Sequence, residues 1–448
     1  MRLASSLVAL ACAGTALLAA TVPTPTVAPG PEHNPHWAQW RGPDGQGRAT
    51  GTYQDRWSDT ENVVWKSAIP GRGHSSPIVW GDRIFLTTSL QGKHVPGRKA
   101  PDHLGFDLKP GYVNPDSTAV DYDHSLHVLG IDAKTGTILW NHTAYDGPMY
   151  DDRHRLNTYA SSSVVTDGTM VYASFEAHGL YAYTVDGRLV WKVDLGNIAK
   201  AGMGPGTSPI LHDNLVILQV DQEMGAGSNI RAFDKKTGKE VWRADRNNRR
   251  SWATPIVFPM RQGLGLIASG AEAVTAYDPT TGKELWRTEG TRGHPIPSFV
   301  TAHGLVIASA GYPTKAVLAV RPDAADDKER IAWTYTKGTA YVTSPIAVGD
   351  YVYLFTDGGI TTCLDARTGA VVYEGGRPPV PSTFRASAVS FDDKILITSE
   401  DGETFVFRAG PKHEILRTNS IGETIWASPA LANGTIYIRG DKHLFAIR

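Results

Sequence analysis

One phrase of residues keeps returning along this chain, and it limits the fold more than any other feature. Each copy opens on a small-residue step, turns at x-Gly-Asp, runs on as alternating apolar residues, and closes on Asp-x-x-Thr-Gly-x-x-x-Trp. The openings are Ser76-Pro77, Ser162-Ser163, Ser208-Pro209, Thr254-Pro255, Pro297-Ser298, Ser344-Pro345, Ser387-Ala388 and Ser428-Pro429. After the first interval they recur every 41 to 47 residues. The endings are clearest from Asp132 to Trp140, Asp234 to Trp242, Asp278 to Trp286 and Asp365 to Tyr373. Weaker copies precede Trp191, Trp333 and Leu416. Repeats of this length build arrays or propellers in which each unit buries its apolar face against its neighbours.

Each unit reads as four short strands. Proline at a strand start removes no ladder hydrogen bond. The x-Gly-Asp step, as in Trp80-Gly81-Asp82 and Val348-Gly349-Asp350, turns the first strand into the second. In Asp-x-x-Thr-Gly the carboxylate accepts backbone donors two residues on and glycine takes the positive φ. The fourth-strand tryptophan then lies flat between neighbouring units. Glycine at 46 of 448 residues, with many Thr, Val, Ile and Trp, suits strands joined by tight turns. Calcium loops are the competing reading of these turns, but they need extra carboxylates that the turns lack. The pattern predicts an all-β, eight-bladed β-propeller of four-stranded antiparallel blades. The eighth unit ends at His443 to Arg448, which matches a third strand, whereas Asn62 to Lys66 has the fourth-strand Trp65 with no strands before it. The N-terminal strand is therefore expected to close the last blade and remove its open edge.

Outside the repeats, Met1-Arg2 and the uncharged, Leu- and Ala-rich run to Ala20 read as a secretory signal peptide over 1–20, with cleavage as late as Ala28. Cys12 offers a lipid anchor, although Ala9-Leu10-Ala11 lacks the leucine usual three positions upstream. A proline-rich linker over 21–36 precedes a single propeller over 37–448. Export to the periplasm or cell envelope follows. Loss of the signal leaves Cys363 as the one thiol, a small hydrophobe expected in the core. With 44 Lys+Arg against 45 Asp+Glu, a formal charge of −1 excludes bulk electrostatic binding of nucleic acid or anionic membrane.

Over about 380 residues the repeats resemble the pyrroloquinoline-quinone-type propeller repeat, shared by quinoprotein alcohol dehydrogenases and by BamB-like factors of outer-membrane protein assembly. The segment Trp37-Ala38-Gln39-Trp40-Arg41-Gly42-Pro43-Asp44-Gly45-Gln46-Gly47 is similar to that of exported bacterial BamB-like propellers, as are Gly71 to Pro77 and Ser251 to Pro255. The resemblance implies the propeller fold. For the quinoprotein branch it also implies a quinone stacked on two adjacent cysteines beside a calcium ion. The chain has neither a Cys-Cys pair nor a Cys-x-x-Cys-His motif, so no cofactor is expected.

Two places could carry function. An insertion over 90–123, between the second and third strands of the first blade, holds His94, Asp102, His103, Asp107, Asp121 and Asp123, with His124, His127, His142 and His154 close behind. Such a cluster could ligate a metal, but without close ligand spacing the preferred reading is a polar flap. The second place appears when the blades are aligned on their first strands. His74, Tyr159, Trp252, His294, Tyr341, Arg385 and Trp426 then fall at one rim of the central channel, as an aromatic and cationic funnel suited to a partner or to a planar or anionic ligand. The reading reached is a monomeric, non-catalytic exported scaffold for envelope proteins, touching membrane only through a lipid anchor or partner. The alternatives are a divergent quinone-dependent dehydrogenase using pyrroloquinoline quinone with calcium, and a glycan or small-molecule binder using the funnel.

Overall fold

Antiparallel strands follow the repeat throughout the computed structural model, which describes residues 35–99, 114–196, 203–222 and 225–448. The signal peptide, Cys12, nearly all of the linker and the middle of the insertion, with Asp102, His103 and Asp107, lie outside the described residues. The described strands form eight blades, each with a four-stranded meander. Blade 3 is typical: Ile210–His212, Leu215–Val220, Asn229–Asp234 and Glu240–Asp245, paired in that order from axis to circumference. The first three strands are largely buried on both faces, and the fourth alternates. Cys363 is buried in the third strand of blade 6, and burial pushes its thiol up to about 12.

Blade 8 closes as expected. Val63–Ala68 pairs antiparallel with His443–Ile447, with Trp65 opposite Ala446. Two departures concern the blades themselves. Blade 7 has a fifth strand, because Arg48–Ala49 adds in parallel along its innermost strand, Val389–Phe391. The insertion is shorter than a loop over 90–123. The second strand of blade 1 runs on to His94 and the third starts at Tyr122, so Leu90 pairs Ser125, Gln91 pairs His124 and His94 pairs Tyr122. Residues 91–94 are polar or glycine and all exposed, so no apolar alternation in the sequence marks this part of the strand.

The repeated motifs are the joints between blades. The N–H of Ser76 donates to Ser163 Oγ (2.9 Å), Ser163 to Ser208 (3.0 Å), Ser208 to Thr254 (3.1 Å) and Thr254 to Ser298 (2.8 Å). Ser298 continues to Ser344 (3.0 Å), Ser344 to Ser387 (2.9 Å) and Ser387 to Ser428 (2.9 Å). Seven of the eight opening hydroxyls thus receive a backbone donor from the preceding blade. Between blades 8 and 1 the buried Arg439 adds donors, from Nη1 to Ser75 Oγ (2.7 Å) and Thr87 O (3.0 Å). Further out, the indoles of Trp65, Trp140, Trp191, Trp242 and Trp333 donate to carbonyls in the next blade's turn, at 2.9–3.1 Å. The turn glycine lies under the ring: a Cβ on Gly238, at φ +70°, would sit 2.7 Å from Trp191 Cδ2. Both the positive φ and the ring therefore demand glycine there. Leu416 replaces the tryptophan where the next blade has no such turn, because the third and fourth strands of blade 8 come from opposite ends of the sequence.

Residues 35–49 fill the channel from the face that carries these turns. His36 stacks on Trp80 (4.1 Å), Trp37 pairs with Val79, and Ala38 O accepts from Thr166 N. Gln46 Oε1 accepts from Thr301 N (2.7 Å), and Gly47 O from Ser390 N (2.7 Å). Arg41, fully buried, reaches Pro345 O with Nη2 at 2.6 Å, and burial pushes its guanidinium down to about 9. One segment so touches blades 1, 2, 5, 6 and 7. His36, read above as linker, belongs to the propeller.

Candidate functional site

In every blade the first strand runs away from the rim and the second returns to it. The loops between second and third strands and the links between blades therefore share one face, and the repeat turns share the other. All seven residues expected at the rim lie in the inter-blade links. They do not make one continuous ring.

His74 stacks on Trp426 at 4.9 Å with the planes 6° apart, and the Arg72 guanidinium lies 5.9 Å from the Trp426 ring. Burial, with Arg72, Arg439 and Arg153 nearby, pushes the His74 imidazole well below its ordinary value. Across the funnel a row runs from Trp252 to His294 (5.7 Å), to Tyr312 (6.0 Å) and to Tyr341 (5.6 Å). Arg385 ends the row in ion pairs with Asp357 (2.8 Å) and Glu400 (3.5 Å). Tyr159 is turned away from this row. It is buried, donates its hydroxyl to Asp151 O (2.8 Å) and meets the His124 ring edge at 4.8 Å. The other six stay partly exposed, so the rim presents aromatic surface instead of packing it away.

Residues that the alignment missed support the row. Arg250 lies 5.0 Å from the Trp252 ring, pairs with the mostly covered Glu176 (2.8 Å) and donates to Gly204 O (2.7 Å), which also accepts from Trp252 Nε1 (3.1 Å). Glu176 has φ +46°, an uncommon conformation for a residue with a Cβ, and accepts from Gly206 N at 3.2 Å. Behind it Arg246 and Asp221 form a second buried pair (3.3 Å), and burial pushes the Asp221 carboxyl up despite its partner. Asp151, Tyr159, Glu176, His178 and Arg250 line a small cavity here. Tyr312 sits in the second-to-third loop of blade 5, which alignment on first strands passes over. The run Gly202 to Gly206 reads as a turn in sequence, and the carbonyls of Met203, Gly204 and Pro205 are anchor points.

The described flanks of the insertion are tied to this face. Ser117–Thr118 pairs with Arg153–His154, Arg155 Nε meets Asp116 at 2.6 Å, and Arg98 pairs with Asp123 at 2.9 Å. Burial is the main cause of the rise of Tyr341 to about 12, and Asp116 adds to it. Burial also lowers His154, with Arg385 contributing. Asp116 of the insertion and His154 of the blade 1–2 link thus face the links of blades 5–6 and 6–7 across the funnel mouth. Three of the candidate metal histidines already have side-chain partners: His94 has Asp121, His124 has Ser89, and His127 has Asn141 and Ser125. Among the described residues no three His, Cys, Asp or Glu side chains are grouped to hold a metal.

A family profile described as outer membrane protein assembly factor BamB matches residues 124–374. The outer membrane protein assembly factor BamB of Burkholderia pseudomallei is 31% identical over 109 residues, 24% of this chain and 27% of that protein. The match thus spans about a quarter of that relative's length. The crystal structure of BamB from Moraxella catarrhalis superposes with a TM-score of 0.53 at 16% identity, over 80% of this chain and 97% of that one. A europium-containing methanol dehydrogenase superposes at 0.60 with 12% identity, over 91% and 90%. At these identities both structures speak to fold alone.

Proposed function

The chain belongs to the family of the outer membrane protein assembly factor BamB, and from that membership we propose that it is an exported, non-catalytic propeller scaffold that holds partner proteins of the bacterial envelope on its rim face. The observation that carries this reading is the asymmetry of the two faces. The turn face is closed by repeat motifs and by the N-terminal segment, while the rim keeps exposed Tyr312 and half-exposed Trp252, His294 and Tyr341 beside the insertion. Tyr and Trp ringed by Arg are the residue types that dominate binding energy at protein interfaces. Among the described residues no helix is long and apolar enough to cross a membrane. The test is capture from envelope extract by the full chain and by a variant in which 95–121 is replaced with a short Gly-Ser turn. Both strands at the splice stay paired, so the variant should fold and lose partners. A folded variant that keeps every partner overturns the assignment.

The methanol dehydrogenase likeness raises a quinone-dependent reading. The residues present do not fit that cofactor. The funnel offers no cysteine pair, Cys363 is buried inside blade 6, and Trp426 already carries the His74 ring on one side. Reconstitution with pyrroloquinoline quinone and calcium should give no dye reduction above a Trp252→Ala control. Turnover above that control would revive the enzymatic reading. Use of the funnel for a glycan or small molecule is the third reading, separated by a glycan-binding screen.

A further inference from the structure

The outer edges of the blades are not protected alike. An edge strand offers unpaired N–H and C=O groups and is ordinarily blunted by charge, proline or shortness. Glu240–Asp245 of blade 3 and Glu284–Glu289 of blade 4 carry both signs, with Arg243 paired to Asp245 at 2.7 Å and Arg287 to Glu284 at 2.6 Å. Blade 7 ends on Ile415–Ser420, whose one charge is Arg417. Along this edge lies a cleft of about 370 Å³, with Ile415 and Leu416 as its apolar floor and Arg377, Pro379, His413 and Arg417 around it. The outer strand of blade 6 ends beside the cleft in Gly375 and Gly376. A Cβ on Gly375 would meet nothing within 4 Å, and Gly376 lets the His413 ring pack against the backbone.

Its charge is unbalanced. Arg408 nearby is neutralised by Asp393 (2.5 Å) and Glu414 (3.3 Å), but Arg377, Lys412 and Arg417 make no ion pair among the described residues. The same sheet already accepts an added strand on its inner edge, where Arg48 pairs with Ser390. We propose that the blade 7 edge binds an extended acidic segment of a partner protein, added as a further strand along Ile415–Ser420. Main-chain hydrogen bonds would give the register. Ile415 pairs with Phe407 and Arg417 with Val406 across a bulge, which turns the two side chains to opposite faces, so carboxylates of the added strand would face Arg377 and Arg417 and its apolar side chains would cover Ile415. This site does not rest on the rim or on the scaffold reading.

The test uses the full chain and a fluorescent octapeptide of alternating Glu and Val, with the Lys–Val peptide and phosphatidylglycerol vesicles as comparators. The Glu–Val peptide is expected to bind and to weaken with salt, while the Lys–Val peptide does not bind. Amide exchange should slow at 415–420 on binding. Arg377→Glu with Arg417→Glu should weaken binding at least about tenfold, and Tyr341→Ala at the rim should leave it unchanged. Should the double charge reversal fold poorly, Arg377→Ala with Arg417→Ala gives the same reading at lower amplitude. Unchanged binding by a folded variant, unchanged exchange at 415–420, or preference for the vesicles over the peptide would overturn the proposal.

Discussion

The turn face and the rim face are made by the same eight repeats, yet they are held together differently. On the turn face five indoles donate to the next blade's turn, and glycines such as Gly136 and Gly238 lie flat under the rings. At the rim no such rule repeats. There Arg250–Glu176, Arg246–Asp221 and Arg385–Asp357 each do a local job, and half-exposed aromatic rings are left over. A surface built by repetition serves closure, and one built differently from blade to blade is free to serve recognition.

The sharpest way to break this comparison is to remove the N-terminal closure. Deletion through Ile69 takes away the channel segment and the outer strand of blade 8 together. Burial of Trp37, Trp57 and part of Trp65 implies a loss of several kcal/mol, on the order of total domain stability. Thermal denaturation unchanged by the deletion would contradict closure by this segment. Next in size, Trp242→Ala should cost about 3–5 kcal/mol in urea denaturation, because the indole is buried. The half-exposed rim residue Trp252→Ala should cost roughly half of that or less. Equal costs would erase the distinction between the faces. Gly238→Ala should cost about 1–3 kcal/mol, from strain at φ +70° and from the approach to Trp191.

These effects follow what could be read from sequence. The hydroxyl of every opening motif, the Asp-x-x-Thr-Gly turns and the lone strand at Trp65 repeat or complete a pattern, so fold, blade number and closure were legible. The channel segment was not. Trp37 and Arg41 occur once, and their partners Val79 and Pro345 are distant in sequence. At the rim, alignment on first strands brought together seven residues of the inter-blade links, on one face. It could not show that Tyr159 turns inward, nor that Tyr312 joins the row from another loop, because side-chain direction there depends on contacts between blades.

A smaller, directional effect separates the faces by pH. Burial pushes His124, His178 and His294 down to about 4, and His74 well below its ordinary value, all in the rim layer. A histidine with a depressed folded value stays neutral when folded and takes a proton on opening. Its stabilisation is full above about pH 6.5 and is lost as pH falls towards about 4. The turn-face Asp234 and Asp365 are held below the ordinary carboxylate range by the hydroxyls of Thr237 and Thr368, so their contribution persists until pH falls below about 3.8. From pH 7 to pH 5, protection factors, taken against the intrinsic exchange rate at each pH, should therefore fall at 149–162 and 249–254 while those at 132–137 and 234–239 hold. A uniform fall in protection would contradict this assignment.

The central claim, that the rim is the face that meets partners, is tested most directly by photo-crosslinking in the envelope. A benzoylphenylalanine at exposed Tyr312 on the rim is compared with one at exposed Thr281 on the turn face. The account expects discrete partner adducts from position 312 and none from position 281. Adducts from 281 alone, or equally from both positions, would contradict it.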